Sequence, residues 1–288
     1  MKIVIIGRQD SPNNQDLQRE FEALGHSVVI TRVVNVQLLT SEDGITAFAQ
    51  GEQIDNADIY IFRGYNKSFW YAQILAEHFE SKRGFVIDSI LTKRLVPSKL
   101  FEATVFQKNG IPHPKTMAVL DTGDISALEQ LTFPVIIKPI YGEQGKDMFI
   151  ASSLDELPEE YIAEPGKYIV QEKKEIQSDV RVFVIGGKAI AASERHLIPG
   201  DFRTNASLGA KVTKFDLTPE VTELAEKAAI AIGYDIAGVD ILRGDNEELF
   251  VIEVNTTPQW QTLQEQNQIN VAQEIIKYIM MKYEERRI

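Results

Sequence analysis

Acidic and amide side chains interrupt two neighbouring apolar segments near the carboxyl end of the chain. Asp240 lies in the first segment, and Glu253 and Asn255 lie in the second. β-Branched runs on either side of the turn-forming residues 244–247 predict two antiparallel strands. Because side chains alternate along a strand, Glu253 and Asn255 are expected to share one face.

The same hairpin predicts a divalent cation. A four-residue turn would place Asp240 opposite Val251 and diagonal to Glu253 on the polar face. Two carboxylates this close repel each other and are costly to remove from water, so such a pair usually holds a cation. Oxygen ligands from Asp240, Glu253 and Asn255 suit Mg²⁺ or Mn²⁺. The alternative is the solvent-facing side of an amphipathic hairpin.

A lysine and a glycine-containing loop follow another predicted buried strand. Lys138 ends the apolar run of residues 133–138, and Gly142 and Gly145 follow in the next loop. Backbone N–H groups of such a loop can surround phosphate oxygens without side-chain obstruction. A lysine at the end of a buried strand suggests an anion nearby, although a two-glycine loop is also compatible with an ordinary hairpin turn.

The elements that would position these residues begin with a small α/β lobe. Strands alternate with helices over residues 1–87, which predicts a doubly wound sheet. Arg63 follows the strand at residues 59–62, at the carboxyl end where open α/β sheets bind ligands. It could bind a substrate carboxylate; the alternative is a surface turn with a solvated arginine. The loop at Gly7 lacks the further glycines of a dinucleotide motif.

Composition narrows the class of protein. The chain has 288 residues, 44% of them hydrophobic and 25% charged, which is ordinary for a globular protein. A formal net charge of −12 argues against a nucleic-acid partner. The absence of cysteine excludes disulfides and thiolate chemistry. The amino-terminal apolar run is too short for a signal peptide or membrane span, so we expect no membrane partner and a cytoplasmic protein.

The motif D-x-L-R…L-x-V-I-E-V-N-x-x-P, from Asp240 to Pro258, resembles the metal-binding hairpin of ATP-grasp ligases, in particular the RimK-like branch. The resemblance implies that Lys99 and Lys138 contact ATP phosphates and that the loop with Gly142 and Gly145 closes over the γ-phosphate. Adenine would be bound mainly by backbone groups of a hinge, and ribose by Asp179. The hinge residues are Gln171, Glu172, Lys173 and Lys174.

Two further segments resemble the reaction site of the branch but also depart from it. Phe202-Arg203-Thr204-Asn205 resembles its F-R-x-N motif, which implies that Arg203 and Asn205 stabilise charge on the γ-phosphate and on an acyl phosphate. Leu208 stands where the branch usually has arginine, and the glycine expected after Pro258 is absent, with Trp260 close behind. We therefore predict a substrate with an apolar portion beside Leu208 and Trp260, its carboxylate held by Arg63 or Arg203.

The resemblance implies an α/β ATP-grasp fold with an amino-terminal Rossmann-like domain. The predicted domains are residues 1–95, a first ATP lobe at 96–172 and a second at 173–288. The implied reaction is ATP- and Mg²⁺- or Mn²⁺-dependent ligation of a carboxylate to an amine on an amino acid or short peptide. A D-alanine-type or glutathione-synthase-like ligase and a non-catalytic ATP sensor are the alternatives. A homo-oligomer is compatible with the sequence.

Overall fold

The computed structural model describes residues 1–42, 44–65, 68–93, 98–142, 147–198, 209–244 and 247–287. Its strands form four sheets, and each of the three larger ones has at least one face packed on a hydrophobic core. None of the helices in these ranges is long and apolar enough to cross a membrane.

The amino-terminal sheet is parallel, with the order β2-β1-β6-β7. Strands β1 and β6 carry fully buried apolar runs because helices or other strands cover both faces. A three-stranded meander, which we did not predict, is inserted between β2 and β6. The elements are β1 (Lys2–Ile6), α1 (Pro12–Ala23), β2 (Ser27–Thr31), β3 (Gln37–Ser41), β4 (Gly44–Ala49), β5 (Glu52–Gln53), β6 (Ile59–Phe62), α2 (Phe69–Ser81) and β7 (Phe85–Ile87).

The second sheet is antiparallel, with the order β10-β9-β11-β8, and has one apolar and one polar face. Val135, Ile137 and Val170 point into its core. Lys138 and Gln171 alternate with these residues and so lie on the opposite face. The elements are α3 (Lys99–Lys108), β8 (Thr116–Met117), β9 (Val135–Pro139), β10 (Phe149–Ala151), α4 (Glu159–Ala163) and β11 (Tyr168–Glu172).

The third sheet is also antiparallel, with the order β14-β13-β12-β15-β16. Helix α5 covers one of its faces; Thr218 caps this helix by accepting the Val221 N–H at 3.3 Å, and Gly233 ends it at φ 89°. The elements are β12 (Ile176–Ile185), β13 (Lys188–His196), β14 (Val212–Phe215), α5 (Pro219–Ile232), β15 (Ile236–Gly244), β16 (Leu249–Asn255), α6 (Gln261–Asn267) and α7 (Val271–Arg287).

The register of β15 and β16 differs from the one we predicted. The Gly244 N–H donates to the Glu248 carbonyl at 2.8 Å, so Gly244 belongs to the ladder rather than to the turn. A β-bulge then shifts the pairing between Asp240 and Ile241. As a result Asp240 lies directly opposite Glu253, whereas Val251 lies opposite Ile241.

Residues of helices α3 and α7 pack against elements that belong to other predicted domains. Phe106 of α3 is buried in the core beneath the third sheet, together with Ala225 and Ala229 of α5. At the other end of the chain, Ile275 and Ile279 of α7 share a core with the amino-terminal sheet. Boundaries near residues 95 and 172 therefore remain predictions. Two of the hydrophobic cores contain residues from more than one predicted domain.

Candidate nucleotide and metal site

Charged residues line the face of the third sheet that α5 does not cover. Asp179 lies opposite Arg195 across β12 and β13, and Arg181 lies opposite Asp240 across β12 and β15. Both pairs form ion pairs: Arg181 Nε and Nη2 donate to the two Asp240 oxygens at 2.6 Å each, and Arg195 Nη2 donates to Asp179 at 2.5 and 2.6 Å. Arg195 Nη2 also lies 3.0 Å from Asp240 Oδ2.

These contacts change the roles expected of Asp240 and Asp179. Burial alone would raise the pKa of Asp240, but the Arg181 and Arg195 guanidiniums outweigh it and hold the pKa at about 2. Both Asp240 oxygens thus accept hydrogen bonds from arginine, and metal binding by Asp240 remains a prediction. The sequence predicts that Asp179 accepts hydrogen bonds from ribose hydroxyls. In the structure Asp179 is 2% exposed and its carboxylate is paired with Arg195.

Glu253 and Asn255 remain as oxygen donors on this face. The Glu253 side chain is 31% exposed, although its strand neighbours Val251 and Val254 are buried in the core. Asn255 Nδ2 donates weakly to Asp240 Oδ2 and to the Gly238 carbonyl, at 3.3 and 3.4 Å. This orientation leaves the amide oxygen of Asn255 for a cation.

A divalent cation fits part of the predicted set. The described ranges contain no cluster of three His, Cys, Asp or Glu residues that could bind a metal by itself. Mg²⁺, however, usually takes only one or two protein oxygens and completes its shell with phosphate and water. Glu253 and Asn255 meet that requirement. The Asp240 oxygens already accept hydrogen bonds from arginine, so the place of Asp240 in the set remains a prediction.

Two lysines approach the same region from other elements. Lys99, at the start of α3, donates from Nζ to the Gly142 carbonyl at 2.8 Å and lies 3.9 Å from Glu253. Lys138 of β9 is 9% exposed and donates from Nζ to Gln171 Oε1 at 2.6 Å. Burial lowers the pKa of Lys138 to about 8, although the nearby Glu253 carboxylate opposes the shift. Lys99 and Lys138 therefore both lie near the Glu253 carboxylate, and their contact with ATP phosphates remains a prediction.

The predicted hinge runs from the end of β11 into the third sheet. Gln171 is buried and holds Lys138 and Thr116 with its side chain. The backbone N–H of Glu172 donates to the Lys115 carbonyl, and that of Lys173 donates to the Pro134 carbonyl, each at 3.0 Å. Lys174 lies over the Phe250 ring, 5.1 Å from its centroid. Adenine binding by this segment remains a prediction.

Glu102 lies beside the candidate site residues, and the sequence did not reveal this position. It lies one helical turn after Lys99 in α3, is 6% exposed, and has the Glu253 carboxylate as a neighbour. Burial raises the pKa of Glu102 well above its ordinary value, and Glu253 adds to the shift. The available signal was a carboxylate three residues after a phosphate-site lysine, but that spacing is also ordinary for a solvated helix face.

Two residues assigned to the substrate are instead buried between lobes. Trp260 is fully buried, packs edge-on against Phe183 at 6.0 Å, and carries the Arg63 guanidinium over its ring at 4.6 Å. Arg63 is 4% exposed and donates to the Pro258 carbonyl at 3.2 Å. Trp260 is therefore a core residue, and the prediction that it lines the acceptor pocket is wrong. Arg63 contacts protein rather than an open cleft.

Four predicted residues lie outside the described ranges. They are Gly145 of the glycine loop, Arg203 and Asn205 of the F-R-x-N segment, and Leu208.

Comparison with known proteins identifies the family to which the chain is similar. Residues 97–279 match the family described as the RimK-like ATP-grasp domain. A probable alpha-L-glutamate ligase of Coxiella burnetii is 29% identical over 287 residues, covering 97% of this chain and 95% of the relative. A protein of the same description from Picosynechococcus sp. is 29% identical over 288 residues, with the same coverage.

Solved ATP-grasp structures share the fold. The ATP-grasp ligase PsnB complexed with minimal precursor has a TM-score of 0.74 at 19% identity, covering 97% of this chain and 98% of that one. A RimK domain protein ATP-grasp from Sphaerobacter thermophilus has a TM-score of 0.71 at 17% identity, covering 97% and 100%. The chain belongs to the RimK-like ATP-grasp family.

Proposed function

We propose that this protein is an ATP-dependent carboxylate–amine ligase that joins L-glutamate, or a related amino acid, to an amino-acid or peptide substrate. The observation that carries the proposal is Lys138. It is a buried ammonium whose hydrogen-bond partner is the neutral Gln171 amide, and among the described residues it has no carboxylate within ion-pair distance. Such a charge is stable where an anionic ligand such as ATP completes its neutralisation.

The charge balance of the site supports an anionic ligand. Among the described residues, four cationic side chains meet three carboxylates here, and burial favours the neutral form of a fourth carboxyl group, that of Glu102. The cations are Lys99, Lys138, Arg181 and Arg195, and the carboxylates are Asp179, Asp240 and Glu253.

The proposed reaction has two steps. A substrate carboxylate attacks the γ-phosphorus of ATP, forming an acyl phosphate and releasing ADP. The amine of the second substrate then attacks the acyl carbon, and phosphate leaves as the amide forms and the amine loses a proton. Positioning and charge neutralisation supply most of the rate in phosphoryl transfer, which suits a site of lysines and arginines.

Individual residues have separate proposed tasks. Lys99 and Lys138 neutralise ATP phosphates, and Arg203 and Asn205 act on the transferred phosphoryl group. Glu253 and Asn255 would hold Mg²⁺, which supplies charge neutralisation to the phosphate oxygens when bound. Asp240 holds Arg181 and Arg195 in place on the sheet face.

The test is ADP release by wild type and by Glu253→Gln, with Glu248→Gln as the control. Glu253 lies within β16, and Glu248 lies directly before the strand at an exposed position. We expect Glu253→Gln to lose at least about 100-fold in kcat, the size of a lost charge-stabilising group, with an unchanged circular dichroism spectrum. Glu248→Gln should keep wild-type turnover. A folded Glu253→Gln enzyme with wild-type activity would refute the metal assignment.

The substrate class is tested with a panel that separates the alternatives. L-Glutamate with amino acids or short peptides should support ADP release and give a product heavier by one residue. The panel also contains D-alanine, and γ-glutamylcysteine with glycine. Preference for either of these would indicate the corresponding ligase class, since the ATP residues would be the same. ATP binding without ADP release on any substrate would indicate a sensor.

A further inference from the structure

Strand β16 forms one edge of the third sheet, and two of its N–H groups have partners outside the sheet. The Val251 N–H donates to the Pro112 carbonyl at 2.8 Å. The Val254 N–H donates to Glu102 Oε2 at 3.3 Å. Buried backbone donors need a partner, and at Val254 a side chain supplies the acceptor that a further strand would otherwise provide.

The hydrogen bond between Val254 and Glu102 lies next to the candidate cation ligands. Val254 lies between Glu253 and Asn255, the two residues that fit a cation, and its own side chain is anchored in the core. Next to it the β-bulge interrupts the regular ladder, so the backbone has fewer ladder contacts to define its position. A hydrogen bond at Val254 therefore restrains the peptide groups that aim both neighbouring side chains.

Glu102 also connects this strand to the phosphate-side lysine. Lys99 and Glu102 lie three residues apart in α3, so they occupy the same side of one helical turn. Ser98 fixes the beginning of that turn by accepting the Phe101 N–H at 3.1 Å. The helix is rigid over this distance, and Lys99 reaches to within 3.9 Å of Glu253 from it.

We propose that Glu102 is a positioning residue. It fixes the backbone of Val254 and thereby sets the distance between Lys99 and the oxygen atoms of Glu253 and Asn255. The proposal rests on the proposed function of the site, because it concerns the same nucleotide and cation. The essential property of Glu102 is its acceptor oxygen, so a neutral amide should replace the carboxyl group, whereas an apolar side chain should not.

The variants follow from that distinction. Glu102→Gln keeps an acceptor at the same position, Glu102→Leu removes it at similar volume, and Glu102→Met is a second apolar variant that packs more flexibly. Gln107→Leu, at an exposed position of the same helix, is the control for an apolar change in α3. Near-UV circular dichroism establishes that each variant is folded.

The first measurement is hydrogen exchange of the Val254 amide in the protein without ligands. Wild type, Glu102→Gln and Gln107→Leu should exchange slowly, and Glu102→Leu and Glu102→Met at least about tenfold faster, as expected for one lost hydrogen bond. Equal exchange in all five proteins would overturn the proposal, whatever reaction the enzyme catalyses.

The second measurement is calorimetric binding of Mg²⁺·ADP and of adenosine. Glu102→Leu and Glu102→Met should bind Mg²⁺·ADP about tenfold more weakly and adenosine normally; a purely structural loss would weaken both ligands. Glu102→Gln should resemble wild type. If Glu102→Gln behaves like the apolar variants, the negative charge rather than the acceptor is required and the proposal is wrong. If wild type binds no Mg²⁺·ADP, the proposed function fails, while the exchange result still decides the role of Glu102.

Discussion

At the scale of single residues, Lys138 carries a positive charge that its burial disfavours. Its pKa is lowered from the ordinary 10.5 to about 8 because burial penalises the charged form. A difference of this size corresponds to about 3 kcal/mol. The buried charge is therefore unfavourable, and the nearby Glu253 carboxylate offsets only part of that cost.

Replacing Lys138 by an uncharged residue should raise the free energy of unfolding and weaken ATP binding. Lys138→Met keeps the length of the side chain and removes its charge. Below pH 8 the lysine is charged in both the folded and the unfolded protein, so wild type bears the full cost of burying the charge. The free energy of unfolding of the variant should therefore be higher by up to about 3 kcal/mol, reduced by the contribution of the hydrogen bond lost at Gln171. Calorimetry should show that the variant binds ATP more weakly, with adenosine unaffected; equal losses for both ligands would remove Lys138 from the phosphate site.

The difference in free energy of unfolding between Lys138→Met and wild type should depend on pH, which gives an independent control. Between pH 8 and 10.5 the folded lysine loses its proton before the unfolded one, so wild type gains stability with rising pH. Urea titrations should show that the extra stability of the variant over wild type decreases across this pH interval. An advantage that stays constant through the interval would show that the buried charge is not its source.

At the scale of elements, the sequence predicted that the hairpin exists and which face is polar, but not its register. The alternation of apolar residues with Glu253 and Asn255 is a local property of the strand. The pairing of Asp240 with Glu253 depends on where the turn ends and on a bulge, and neither changes the local pattern enough to be recognised. The arginine partners of Asp240 were missed for the same reason, since they come from β12 and β13 and meet it only through sheet order.

Gly238 tests how closely the hairpin is fitted to the segment that follows it. Gly238 lies opposite Asn255 in the ladder, and a Cβ atom there would lie 2.8 Å from Pro258 Cβ. Gly238→Ala should cost about 1 to 3 kcal/mol as an overpacking change and reduce kcat by displacing Asn255. Urea unfolding and ADP release measure the two effects.

Gly166→Ala is the matched control, because a Cβ atom at Gly166 would have its nearest neighbour at an ordinary 3.6 Å. This variant should stay within about 0.5 kcal/mol of wild type with unchanged activity. If Gly238→Ala behaves in the same way, the segment after β16 can move without disturbing Asn255.

At the scale of the whole molecule, lobes that are separate along the chain share two of the four hydrophobic cores formed by the described residues. The residues on both sides of this interface are locally unremarkable apolar or polar residues, which is why the sequence indicated three lobes but not how they pack. Trp260 was assigned to the substrate because it follows the metal motif. Its actual surroundings come from two distant parts of the chain, with Asp16 accepting from its Nε1 at 3.4 Å and Phe183 against its ring.

The two tryptophans of the chain allow that packing to be measured. Trp260 is fully buried and Trp70 is 67% exposed, so alanine at the two positions compares an interface with a surface. Trp260→Ala should destabilise the protein by about 3 to 5 kcal/mol, Trp260→Phe by less because a ring remains, and Trp70→Ala by about 0.5 kcal/mol or less. Thermal unfolding followed by far-UV circular dichroism measures all three.

The pattern of unfolding in the Trp260 variants distinguishes a shared core from a local one. Because this core includes Ile5 of the first sheet and Ile275 of α7, Trp260→Ala should lower the midpoint for the whole molecule in one transition. Folded Trp260→Ala should also keep its preference among amino-acid substrates, since the ring faces the core rather than the acceptor. An unchanged midpoint combined with a changed substrate preference would return Trp260 to the acceptor pocket and contradict the packing seen between the lobes.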